Sequence, residues 1–186
     1  MEALEQMTAR LAPVAMGAAI AMVLAGAPLA AFAQDESTNR VAVETAWSVF
    51  VEDDPKECWS VSSPTRTVNT RGGQVVSVRR GDILMFVTFR PGADVEGEVS
   101  FTGGYPFADG STVELDVGGT KFDLFTDGEW AWPASAAQDD QIVAALKRGA
   151  DATLTARSSR GTQTADTFSL FGFTSALEEA QGRCAE

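Results

Sequence analysis

From about residue 45 onward the chain breaks into short segments rich in Val, Phe, Trp and Thr, each stopped by turn residues within about eight to twelve positions. The rhythm therefore points to an antiparallel sandwich or barrel rather than βαβ units. We expect a mainly β, single sandwich- or barrel-like domain of about eight to ten short strands, with one long helix and one short C-terminal helix. Expected strands run over Trp47–Val51, Cys58–Ser62, Gln74–Arg79, Ile83–Phe89, Glu98–Thr102, Ala152–Ser158 and Thr164–Phe171. Ile83–Phe89 is nearly apolar throughout, so it is expected to be central and covered on both faces.

The most specific local expectation is a hairpin. Thr112–Val117 and Thr120–Phe125 flank Gly118-Gly119, a two-residue turn signal. In that register Leu115 faces Phe122 and Val113 faces Leu124 on the core side. On the outer side Asp116 meets Lys121, whereas Glu114 meets Asp123 and needs Lys121, on its diagonal, or solvent for relief. The long helix is expected over Ser135–Gly149, with a Ser135/Gln138 capping box, Asp139 and Asp140 answering the helix dipole, and Gly149 as the stop. Ser175 with Glu178 is expected to cap the final short helix.

Residues 1–33 read as a secretory signal. Leu11 to Ala33 carries no charge, Pro28 breaks the segment, and Ala31-Phe32-Ala33 supplies the small-x-small pattern before a cut. An uncleaved anchor is the alternative, and no stable membrane span is expected after cleavage. Residues 34–44 read as a polar flexible lead and residues 45–186 as the single domain. The expected compartment is the Gram-negative periplasm, with envelope association or secretion beyond it. In an exported chain, Cys58 and Cys184 most often pair. A redox or metal-binding pair is the alternative, but there is no Cys-x-x-Cys and no third soft ligand.

Composition narrows the chemistry. The 186 residues hold no histidine, 14 Lys plus Arg and 26 Asp plus Glu, for a net charge of -12. Without histidine there is no Ser-His-Asp triad, no Cys-His pair and no His-ligated metal. The acidic balance argues against nucleic acid, which needs a basic face. Neither a nucleophile elbow nor a phosphate loop occurs. No catalytic residue, metal or cofactor is expected. Asp94, Glu96 and Glu98 would share one face by alternation, most simply as a solvated edge. Arg80-Gly81-Asp82 spells an adhesion tripeptide, although a tight turn accounts for it.

Aromatic residues supply the candidates for a binding surface. Tyr105 and Phe107 lie in a Gly-rich loop, and Trp130 and Trp132, two apart beside Pro133, point the same way if extended. The Trp pair is expected to close the core under the helix, or, if exposed, to mark a binding face. Trp59 could be a surface anchor too, but a Trp next to a disulfide cysteine is usually core packing, and it is expected there. Arg157 and Arg160, cations on an acidic chain, could meet a carboxylate or phosphate, or simply serve solubility and turn structure.

Taken in order, several short motifs resemble the invasion-associated locus B family of exported alphaproteobacterial proteins. They are Cys58-Trp59, Arg90-Pro91-Gly92, Tyr105-Pro106-Phe107 with Gly110-Ser111, Phe122 to Gly128 followed by Trp132, and Arg160-Gly161-Thr162 through Gly172-Phe173. The resemblance spans about Trp47 to Cys184. It implies a β-rich periplasmic or envelope domain with a disulfide joining its ends, and a role named for the entry of pathogenic members into host cells. It supplies no catalytic residue. The expected function is non-enzymatic binding of an envelope or host protein or another envelope component, with partner and oligomeric state open. One alternative is a carrier of small apolar ligands lined by Ile83–Phe89, Phe122 and Phe168. Another is a His-independent enzyme using Glu114 and Asp123.

Overall fold

The strand rhythm resolves, in the computed structural model, into one antiparallel sheet; the structure describes residues 39–185. The expected signal segment, residues 1–33, lies outside them. The strands are β1 (Arg40–Glu44), β2 (Trp47–Asp53), β3 (Lys56–Ser62), β4 (Arg66–Arg71), β5 (Gln74–Val75), β6 (Leu84–Arg90), β7 (Val95–Thr102), β8 (Thr112–Val117), β9 (Thr120–Asp127), β10 (Trp130–Trp132), β11 (Asp151–Arg157) and β12 (Gln163–Ser169), with helices α1 (Ala136–Leu146) and α2 (Phe173–Ala185). Twelve strands, rather than eight to ten, lie in the order β1-β2-β3-β6-β7-β10-β9-β8-β11-β12-β4-β5.

The sheet coils over itself. Phe101 of β7 and Phe168 of β12, far apart in the strand order, meet edge to face at 6.2 Å in the centre of the core. Inward residues alternate along each strand, as in Val113/Leu115/Val117 and Ala152/Leu154/Ala156, all buried. Helix α2 packs across β2 and β3. There the Trp47 indole donates to the Ser169 carbonyl at 3.0 Å and meets Phe173 edge-on at 4.9 Å. A disulfide joins Cys58 of β3 to Cys184 of α2 across 126 residues, Cα to Cα 5.7 Å. Among the described residues no helix is long and apolar enough to cross a membrane.

Several expectations need correction. Arg40–Glu44, placed in the flexible lead, is a strand paired with β2. The expected strand 74–79 shrinks to β5, a two-residue edge, while β4, too polar to register as a strand, pairs five residues with β12. Helix α2 is the longer helix and begins at Phe173, so Ser175 lies inside it and is not its cap. Gly172 sets that start with φ +88°, and a Cβ there would collide with the Glu44 carbonyl.

The hairpin registers as expected, including Leu115 opposite Phe122 and Glu114 opposite Asp123. Lys121 Nζ takes the diagonal, 2.8 Å from Glu114, while Asp116 accepts from the turn N–H of Gly119 at 2.8 Å. Ser135 is the N-cap of α1, but Gln138 accepts from the Ala134 N–H, one residue earlier than a reciprocal capping box requires.

Candidate functional site

Alternation decides which aromatics reach the surface. Cys58, Ser60 and Ser62 of β3 face the core, so Trp59 faces outward; the expectation that it packs inside with its cysteine neighbour fails on this parity. Ala131 of β10 points into the core and is fully buried, which turns Trp130 and Trp132 to the outer face. They do not close the core under the helix. In β6, Met85, Val87 and Phe89 point inward while Phe86, Thr88 and Arg90 point outward, so this run is not apolar-covered on both sides.

These outward residues build a groove of about 330 Å³ lined by Glu57, Trp59, Phe86, Thr88, Arg90, Glu98, Ser100, Trp130 and Trp132. Its walls are stacked rings. Trp59 is backed by Phe50 (5.6 Å, 7° between planes), and Trp132 lies between Trp130 (6.2 Å, 22°) and Phe125 (5.7 Å, 29°). Phe86 leans on Trp130 at 5.7 Å. The floor is Thr88 and Ser100, 5% and 7% exposed, whose hydroxyls have no hydrogen-bond partner among the described residues.

One end of the groove is charged. Arg90 Nε donates to Glu57 at 2.7 Å and Nη1 donates to Glu98 at 3.1 Å. Burial works against the guanidinium charge, but the hydrogen bonds and charges of Glu57 and Glu98 outweigh it, so the Arg90 pKa rises. Glu98 reaches this face by alternation with Ser100, opposite Thr88, and the register against β6 shifts just beyond it, at a bulge at Gly97. The bulge also breaks the alternation expected to align Asp94, Glu96 and Glu98. Among the described residues no group of three acidic or thiol ligands is placed to hold a metal.

The bulge is secured from α1. Asp139 is buried, and its Oδ1 accepts from the Val99 N–H at 2.8 Å. Burial pushes its carboxyl pKa up; the Val99 N–H opposes this, and the Glu98 and Asp140 charges add to it. The dipole reading missed this role, since nothing in the sequence marks which strand amide lacks a partner.

The six residues expected to form one binding surface do not come together. Trp130 and Trp132 lie in the groove. Phe107 is 4% exposed and packs on Phe101, so it is lost to the core, while Tyr105 is half-buried with its hydroxyl bonded to Thr164 at 2.6 Å. Burial raises the Tyr105 pKa, against the Thr164 bond and the Arg80 charge. Arg160 borders a separate cleft of about 510 Å³ with Arg71, Arg79 and Tyr105, while Arg157 borders a third beside Asp109.

Arg80, the first residue of the adhesion tripeptide, is buried in a two-point pair with Asp166 (2.8 and 2.7 Å) and lies over the Tyr105 ring. A guanidinium so enclosed is not presented to a receptor. Glu114 and Asp123 stand on the outer side of their hairpin, with Lys121 on Glu114, and form no enclosed pair. Met85, Val87 and Phe168, offered as a cavity lining, are packed in the core. Phe50, Phe86 and Phe125 were not singled out from the sequence; each stands opposite an inward neighbour in a strand, and parity alone could have placed them.

The chain is similar to known proteins over most of its length. A family model described as invasion associated locus B (IalB) protein matches residues 47–181. The crystal structure of invasion associated protein B from Bartonella henselae superimposes with a TM-score of 0.54 at 19% identity, covering 78% of this chain and 98% of that one. At that identity the likeness is one of fold. No curated protein matches.

Proposed function

The chain belongs to the invasion-associated locus B family, and from that membership we propose that it is an exported, non-enzymatic envelope protein that works by binding through its outer aromatic groove. The observation that carries this reading is the pair of ring clusters, Phe50–Trp59 and Phe86–Trp130–Trp132–Phe125, that flank the groove on the face turned away from the core. Aromatic side chains left on a surface and held rigid by one another are the residues that dominate recognition sites. The disulfide supports residence in an oxidising compartment. The uncharged run Leu11–Ala33 supports export by a cleaved signal into the periplasm, from which an envelope component is the nearest partner. Entry into host cells is the role that the family name attaches to pathogenic members.

A photoreactive benzophenone amino acid placed at Trp130 tests the reading in the protein's own envelope. The expected result is a discrete cross-linked adduct from position 130 and none from the same group at Phe171, which is 67% exposed but remote from the groove lining. Equal labelling from both positions would contradict it.

A further inference from the structure

We propose that the groove is a glycan site, taking a short uncharged stretch of about one or two sugar rings between Trp59 and the Trp130–Trp132 pair. The inference rests on the groove being the binding site and names what it binds. Four features of the lining carry it.

The walls come first. A pyranose has one face of C–H bonds whose partial positive charge suits the negative face of an aromatic ring. Trp59 is stacked on Phe50 on one side, which leaves its other face for the groove; Trp132, with Trp130 and Phe125 on its two faces, has no free ring face and instead buttresses Trp130 across the groove. Rings fixed by mutual stacking lose little freedom on binding.

The floor decides between sugar and hydrocarbon. Thr88 and Ser100 are more than nine-tenths buried, and their unpartnered hydroxyls line the groove. Each hydroxyl both donates and accepts, as a sugar hydroxyl does. An apolar peptide side chain pressed onto this floor would strip both groups of water and leave them unsatisfied.

The charged end adds direction. Glu57, Arg90 and Glu98 present planar groups with fixed forks, the geometry that meets adjacent hydroxyls on a ring. With two carboxylates to one guanidinium, on a chain of net charge -12, an anionic polysaccharide is repelled. The volume of about 330 Å³ sits at the lower end of ligand sites and suits a short segment.

The test is affinity electrophoresis of the oxidised protein through gels containing a neutral β-glucan, a galactomannan or soluble chitin oligosaccharides, with polygalacturonate as the anionic comparison. Retardation by at least one neutral glycan and none by polygalacturonate is expected. Trp59→Ala should weaken it about tenfold or more. Thr88→Val keeps the side-chain shape and a strand-favouring residue, and Ser100→Ala is smaller still, so both should fold; circular dichroism checks this. Each should weaken retardation several-fold.

No retardation in any neutral gel would overturn the glycan assignment. So would any strengthening by Thr88→Val, which is the signature of an apolar partner. If the Trp130 cross-link still forms while every gel is silent, the groove remains the binding site and only its ligand has been misassigned. Loss of both removes the groove itself.

Discussion

Asp139 shows how one side chain links the helix to the site. Its carboxylate accepts the Val99 N–H, on the residue that follows Glu98 of the groove. Because burial raises its pKa in the fold, the native state holds a proton more tightly than the unfolded chain does. Its contribution to stability is therefore full at low pH and declines as pH rises above about 4, through the window between the ordinary and the raised value. Asp139→Asn keeps an acceptor for Val99 but cannot ionise. Thermal unfolding from acid to neutral pH should show the variant gaining on the native protein as pH rises; parallel curves would contradict the assignment. Arg80 and Asp166 make the opposite case, a buried pair whose halves depend on each other. Arg80→Ala should cost about 3–5 kcal/mol in a denaturant titration, since it strands the Asp166 carboxylate. A loss below about 1 kcal/mol would mean that the pair is screened by solvent.

At the scale of elements, the β12–α2 junction depends on Gly172, whose positive φ and contact with the Glu44 carbonyl exclude any side chain. Gly172→Ala should lower the midpoint of unfolding by well over the effect of Gly182→Ala, which sits inside α2 with open space around its Cα and should be neutral or stabilising. Elements with a local code were legible from sequence: the β8–β9 hairpin from its Gly-Gly turn, α1 from Ser135. Elements defined by distant partners were not. Nothing local marks the polar β4 as a strand; its order comes from β12, about a hundred residues away in the chain. The same holds for the groove. Trp130 and Trp132 stood out as a pair, but their partners Trp59 and Phe86 come from β3 and β6 and meet them only through strand order. Tyr105 and Phe107 look like surface anchors in sequence because a Gly-rich loop usually lies outside; here the loop folds back onto Phe101 and Thr164.

The molecule as a whole separates two duties by the faces of one sheet. The inner face builds the core with Phe101, Phe168 and the Trp47–Phe173 contact, and the disulfide pins α2 over it. The outer face holds the aromatic groove. Because the link closes 126 residues, replacing both cysteines by Ala should cost about 2–5 kcal/mol in a denaturant titration while leaving the groove residues in place. The central claim is that the outer rings serve binding and not folding. It is tested most directly by native mass spectrometry of the protein isolated gently from its own envelope, the native chain beside Trp130→Ala/Trp132→Ala. The account expects a reproducible added mass on the native chain, its loss from the variant, and unfolding midpoints within a few degrees of each other. A variant that no longer folds, or one that keeps the added mass, would contradict it.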